Sequence, residues 1–262
     1  VVGPSGFIVL RVVGGSVMFL FTMSLTRFFN REPRIFEKID RQDWWRFILC
    51  GLTGVAINQL FFFNGLSLTS PIHASLIMTI TPIFVLLVSY LLLGSIITNR
   101  KLIGIFIGGV GAVMLLMYSA ENSGSANLSG VSMLGDMFIL INALSYGIYL
   151  VVAKPLMKKY RPLTVVTWVF IIGTVFVIPV GWEQTTQILW SDLTPSHMRS
   201  IAYVILGTTF LAYLLNIIAL NRVAPVAVSI YIYLQPLLVL MLVAFLALLG
   251  VSEYHKDINL MT

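Results

Sequence analysis

Gln59 and Phe62, three residues apart, are followed 154 positions later by Tyr213 and Asn216 at the same spacing, which sets each pair on one face of a helix. Ile77 and Thr81, four apart, have Tyr231 and Gln235 as counterparts at the same offset, again on one helical face. Asn58, Thr79 and Tyr146 stand in similar apolar surroundings. Amides, hydroxyls and rings placed in this way can surround an amphipathic organic molecule and fix it by hydrogen bonds. The plainer use of such groups is to tie one helix to its neighbour, at about 1 kcal/mol each. Bond-making chemistry is not on offer: no nucleophile with its base, no phosphate-cradling loop and no cluster of metal ligands stands at a recognisable spacing. The expectation is a protein that binds a small molecule without metal or cofactor and is not an enzyme.

Three ionisable groups inside or beside apolar runs are sharper candidates, because charge within a membrane is rare without a use. Arg11 lies about one turn inside the first run and can snorkel to the surface or pair with a carboxylate of a ligand; the structural reading is preferred. His73, near the outer start of the third run, could sense pH at ordinary acidities; the preferred reading is an interfacial histidine bonded to a loop. Asp136 falls in the first turn of a helix, where a carboxylate offsets the helix dipole; that reading is preferred to proton binding.

The apolar runs must position these groups. The chain is 58% hydrophobic and only 10% charged, with a mean hydropathy of +0.97, outside the range of soluble domains. Eight runs reach the length of a bilayer span, roughly 17 to 25 residues: 7–28, 47–68, 71–93, 102–118, 134–152, 163–180, 201–220 and 225–249. The third recurs as the eighth. Leu66 falls on Leu220, Pro71 on Pro225, Ser75 on Ser229 and Pro82 on Pro236. Pro71 and Pro225 open a helix, where the missing N–H is harmless. Pro82 and Pro236 sit inside one, so each frees the carbonyl four residues earlier, Met78 or Ile232, and bends the span. Such a break is tolerated in hydrocarbon only against protein or a wet cavity.

Thirteen of the sixteen Lys and Arg residues fall in the four loops on one side of these spans, and two on the other. That bias places the basic side in the cytoplasm and makes nucleic acid an unneeded explanation of the +6 net charge. Four spans separate the two copies, so the copies run in opposite senses, as in secondary transporters whose ligand site sits at the repeat interface. The lone Cys50 is read as packing. Gly104, Gly108 and Gly111 let the fourth span pack closely, within the chain or against a second copy as a homodimer.

The run GLSLTSPIHASLIMTITPIFVLLVSYLLLGS followed by KLIGIFIGGVGAVML resembles the repeat of EamA-type transporters of the drug/metabolite transporter superfamily, and GDMFILINALSYGIYLVVAKPL resembles the opening of their second repeat. The resemblance implies ten helices around a central cavity, both termini cytoplasmic, a bacterial inner membrane, and export of amino acids, metabolites or drugs. The bookkeeping of the repeat likewise expects ten spans in the native chain, of which this sequence holds the middle eight. Two departures stand out. Gly94 is followed by Ser95 where such repeats often carry Gly-Glu, and Gln235 occupies a position that is often acidic. A proton-carrying carboxylate at that point is therefore absent.

The expected architecture is an all-α polytopic membrane protein with a first repeat over 1–120 and a second over 121–262. Its partners are a small-molecule substrate and the lipid bilayer. The expected function is alternating-access export of a small organic molecule. The alternatives are a nucleotide-sugar or sugar-phosphate exchanger, which would want Lys or Arg at the midplane, and a receptor or scaffold that moves nothing.

Overall fold

A computed structural model describes residues 3–30, 37–69, 71–122, 133–188, 194–235, 237, 238 and 241. Helices are the regular structure among them: α1 Pro4–Asn30, α2 Arg41–Leu66, α3 Pro71–Met78, α4 Thr81–Leu93, α5 Asn99–Asn122, α6 Met133–Met157, α7 Pro162–Thr186, α8 Pro195–Arg222 and α9 Pro225–Ile230, which a tighter turn extends over Tyr231–Leu234. Six of the described helices are long and apolar enough to cross a membrane, with α3 and α4 sharing the span Ala74–Leu93. Helix α5 covers the fourth expected span, and Pro225–Leu234 is the described start of the eighth. This is an all-α, multi-pass membrane protein.

Side chains on the rim are as apolar as those inside, as a lipid solvent demands. Helix α5 turns Phe106 (71% exposed) and Ile107 (65%) outward, whereas Ile8, Phe19, Val55, Tyr149 and Val169 are fully buried. With no hydrophobic drive between helices in lipid, close packing must hold them. Phe19 of α1 wedges between Phe170 of α7 and Phe210 of α8, with ring centroids 4.8 and 4.9 Å apart. Gly173 lets α7 approach α2 so nearly that a Cβ there would lie 2.5 Å from the Cβ of Val55. Gly108 of α5 accommodates the ring of Tyr233, while Gly104 and Gly111 have no close neighbour among the described residues. Among the described residues, one of the three glycines therefore has an intrachain partner.

The mid-span prolines act as their chemistry requires where the chain is described. Ahead of Pro82 the helix breaks between α3 and α4, and the carbonyl of Met78 accepts the Thr81 hydroxyl at 2.7 Å. The Thr79 hydroxyl returns to Leu76 O at 2.6 Å. A polar backbone group left bare in lipid is costly, and these two threonines satisfy it locally. In the second copy the chain tightens into a 3₁₀ turn over Tyr231–Leu234, the counterpart of Ile77–Ile80. Pro236 itself lies outside the described residues, as do the seam at 123–132 and the chain beyond Met241.

A second pair of irregularities had no sequence signature. Leu52–Ile57 of α2 and Val204–Leu211 of α8 wind as π-helices, and the offset of 154 superposes them. Each ends immediately before a cavity residue, Asn58 or Ala212. Such single-turn widenings concentrate at functional sites because they redirect carbonyls and side chains.

At the basic end of the bundle, Asp43 is 2% exposed and fully engaged. It accepts Lys159 Nζ at 2.7 Å, Arg46 NH1 at 3.2 Å and the Tyr160 hydroxyl at 2.9 Å. Tyr160 in turn accepts the backbone N–H of Asp40 at 3.0 Å. Lys154 donates to Leu220 O at 2.7 Å and Val223 O at 2.8 Å, so a cation caps the C-terminal carbonyls of α8.

Candidate functional site

Between α2, α6, α8 and the α9 segment lies a cavity of about 340 Å³. Its walls carry Asn58, Gln59, Phe62, Tyr146, Tyr213, Asn216, Tyr231 and Gln235. These are eight of the ten side chains that the sequence singled out for ligand contact. The other two go elsewhere. Thr81 is fully buried with its hydroxyl on Met78 O, and Thr79 borders a separate apolar groove between α3, α4 and α5. Both are used up in repairing the broken helix.

Tyr213 is the hub. Its hydroxyl accepts the side-chain amide of Gln59 and lies 3.2 Å from Gly54 O and 3.3 Å from Asn58 Oδ1, one of which takes its proton. Its ring stands edge-on to Phe170 at 4.8 Å. Asn216 Nδ2 donates to the Tyr146 hydroxyl at 2.6 Å. Asn142, one turn before Tyr146 on α6, also faces the cavity and donates to Asn58 O at 2.7 Å. The sequence reading passed over Asn142, although its i, i+4 spacing from Tyr146 was a usable signal.

The repeat meets itself here. Gln59 bonds Tyr213, and the Tyr233 hydroxyl donates to Thr79 O at 3.1 Å, each pair separated by 154 residues. A position can touch its own counterpart only on a two-fold axis, as at an isologous interface. The cavity wall repeats the same offset, since Met78 and Ile232 both line it, as do Asn58 and Ala212. The π-helical carbonyls do likewise: Gly54 O faces Tyr213, and its counterpart Thr208 O accepts NH2 of Arg11 at 3.2 Å.

Of the ionisable candidates, Arg11 comes to the cavity. Its Nε donates to Thr209 Oγ1 at 2.6 Å, and its guanidinium lies 5.3 Å from the centre of the Phe63 ring. Asp136 does not line the cavity; it accepts the Thr69 hydroxyl at 2.6 Å near the start of α6, as a first-turn carboxylate should. The backbone of His73 belongs to α3, and its side chain lies outside the described residues. Among the described residues no group of three metal-ligating side chains converges.

The EamA-like transporter family matches residues 1–117 and again 133–250. The uncharacterized transporter YyaM of Bacillus subtilis is 26% identical over 206 residues, which cover 78% of this chain and 66% of that protein. An uncharacterized transporter of Archaeoglobus fulgidus is 24% identical over 83% of this chain and 76% of its own length. A protein of known crystal structure superposes over 100% of this chain and 86% of its own, with a TM-score of 0.70 at 17% identity. That last likeness speaks for the fold.

Proposed function

We propose, from the premise that the chain belongs to the EamA-like transporter family, that it is a secondary-type carrier for small organic molecules. The ligand occupies the cavity around Tyr213, and the two repeats, inverted with respect to each other, rock about it to open the site to either face of the membrane in turn. Export of amino acids, metabolites or drugs is the direction and cargo that the family resemblance favours.

The observation that carries this reading is the self-pairing of the repeat at the cavity. Gln59 pairs with Tyr213 in the cavity wall, and Thr79 pairs with Tyr233 beside the neighbouring groove. A carrier must present similar energies when open to either side, and inverted halves meeting on a two-fold supply that equivalence. The polar lining supports the same conclusion. Buried hydrogen-bonding groups in a membrane are expensive unless matched, and the polar side chains of Gln59, Asn142, Tyr146, Tyr213 and Asn216 line one cavity.

The test is flux into proteoliposomes, with a panel of amino acids, other organic acids and neutral metabolites, measured with and without a pH gradient. Saturable uptake that is lost in a Gln59→Leu, Asn216→Leu variant is the expected result. Among the described residues that line the cavity none is a carboxylate, so flux should be unchanged by the pH gradient. An intact, folded protein that passes no member of the panel would overturn the carrier reading in favour of a receptor or scaffold.

A further inference from the structure

Arg11 brings the only formal charge to the described cavity wall. A guanidinium has five N–H donors, and two are used, Nε on Thr209 Oγ1 and one NH2 hydrogen on Thr208 O. Three remain without an acceptor among the described residues. No described carboxylate lies within ion-pair distance of it, whereas Asp43 at the basic end is surrounded by Lys159 and Arg46. The Phe63 ring offsets part of the charge from one side, and Arg11 is among the residues that line the cavity.

We propose that the ligand of this cavity is an organic anion of the carboxylate class, whose oxyanion docks on the free N–H groups of Arg11. The inference rests on the carrier reading for the location of the ligand and adds its charge. A planar carboxylate can accept two parallel guanidinium N–H bonds, and the low dielectric of the bundle makes an unmatched cation attract an anion more strongly than in water. A lysine retains the charge without the fork, so it should serve only in part.

The experiment compares three probes of one skeleton, phenyllactate, its methyl ester and 1-amino-3-phenylpropan-2-ol, by thermal stabilisation of the purified protein. The acid is expected to bind at least about tenfold tighter than the ester, on the scale of a charge-assisted hydrogen bond, and the amine not at all. Arg11→Gln should erase the preference for acid over ester, and Arg11→Lys should restore part of it. An ester or amine that stabilises as well as the acid overturns the anion site, as does a preference that survives in Arg11→Gln or an acid that gives no stabilisation. The comparison of probes on the unaltered protein needs no variant to fold. Should the anion site fail while neutral compounds still show saturable flux, the carrier reading stands alone; loss of all flux removes both.

Discussion

The basic end of the bundle and its central cavity treat charge in opposite ways. Asp43 is buried under three donors from its own chain, Lys159, Arg46 and Tyr160, and the first turn of α2 is thereby fastened to the turn that follows α6. Arg11 reaches the cavity with a hydroxyl, a carbonyl and a ring, but no described counter-ion. A charge matched within the chain holds structure; a charge left unmatched beside an empty volume is free to hold something else. The same division separates the uncharged groups. Thr79 and Thr81 spend their hydroxyls on the backbone opened by Pro82, whereas the Asn142 and Asn216 amides in the cavity wall each keep an oxygen with no partner among the described residues.

This contrast can be broken by substitution. The largest effect is expected from Asp43→Ala, which strips the partners from Tyr160, Arg46 and Lys159 and should lower folding stability by about 3 kcal/mol. Thermal unfolding in detergent would register it, and the ligand concentration for half-maximal flux should not move. Tyr213→Phe keeps the ring against Phe170 but removes the hydroxyl that receives Gln59, so transport should fall about tenfold, in line with a lost hydrogen bond of roughly 1.4 kcal/mol. Because the buried Gln59 amide loses its acceptor, a stability loss of about 1 kcal/mol should accompany the transport defect. If instead Tyr213→Phe unfolds easily and transports normally, the cavity is merely a polar core and the contrast disappears. The smallest effect should come from Thr81→Val. It deprives Met78 O of its hydroxyl and should cost about 1 kcal/mol of stability, with flux intact. A transport defect in a stable Thr81→Val protein would return that residue to the binding site.

Much of the fold was legible because hydrocarbon is a simple solvent. Eight apolar runs of spanning length, the prolines at Pro71, Pro82 and Pro225, and the offset of 154 could be read directly, and each described span is a helix where one was expected. The break near Met78 followed from the ring of Pro82, which cannot donate to the carbonyl four residues back. Eight of ten ligand candidates reached one cavity because helical period and repeat together select a face. Thr79 and Thr81 misled for a local reason: they occupy the right face, but the freed carbonyls beside them compete for their hydroxyls. The paired π-helices at Leu52–Ile57 and Val204–Leu211 were invisible because one residue of extra winding is chosen by packing against neighbours, with no residue type that demands it.

The sequence by itself determined that this chain crosses a membrane many times, that it does so in two related halves, and where its proline-broken helices fall. These depend on hydropathy and backbone covalency, which are properties of a segment alone. The tertiary structure decided which polar groups are spent within the chain and which face the cavity. Arg11 on α1 finds Thr208 and Thr209 nearly two hundred residues away, and Gln59 finds its own counterpart, Tyr213. Whether a hydrogen-bonding group is satisfied depends on what lies within about 3 Å of it, and only the assembled bundle sets that distance.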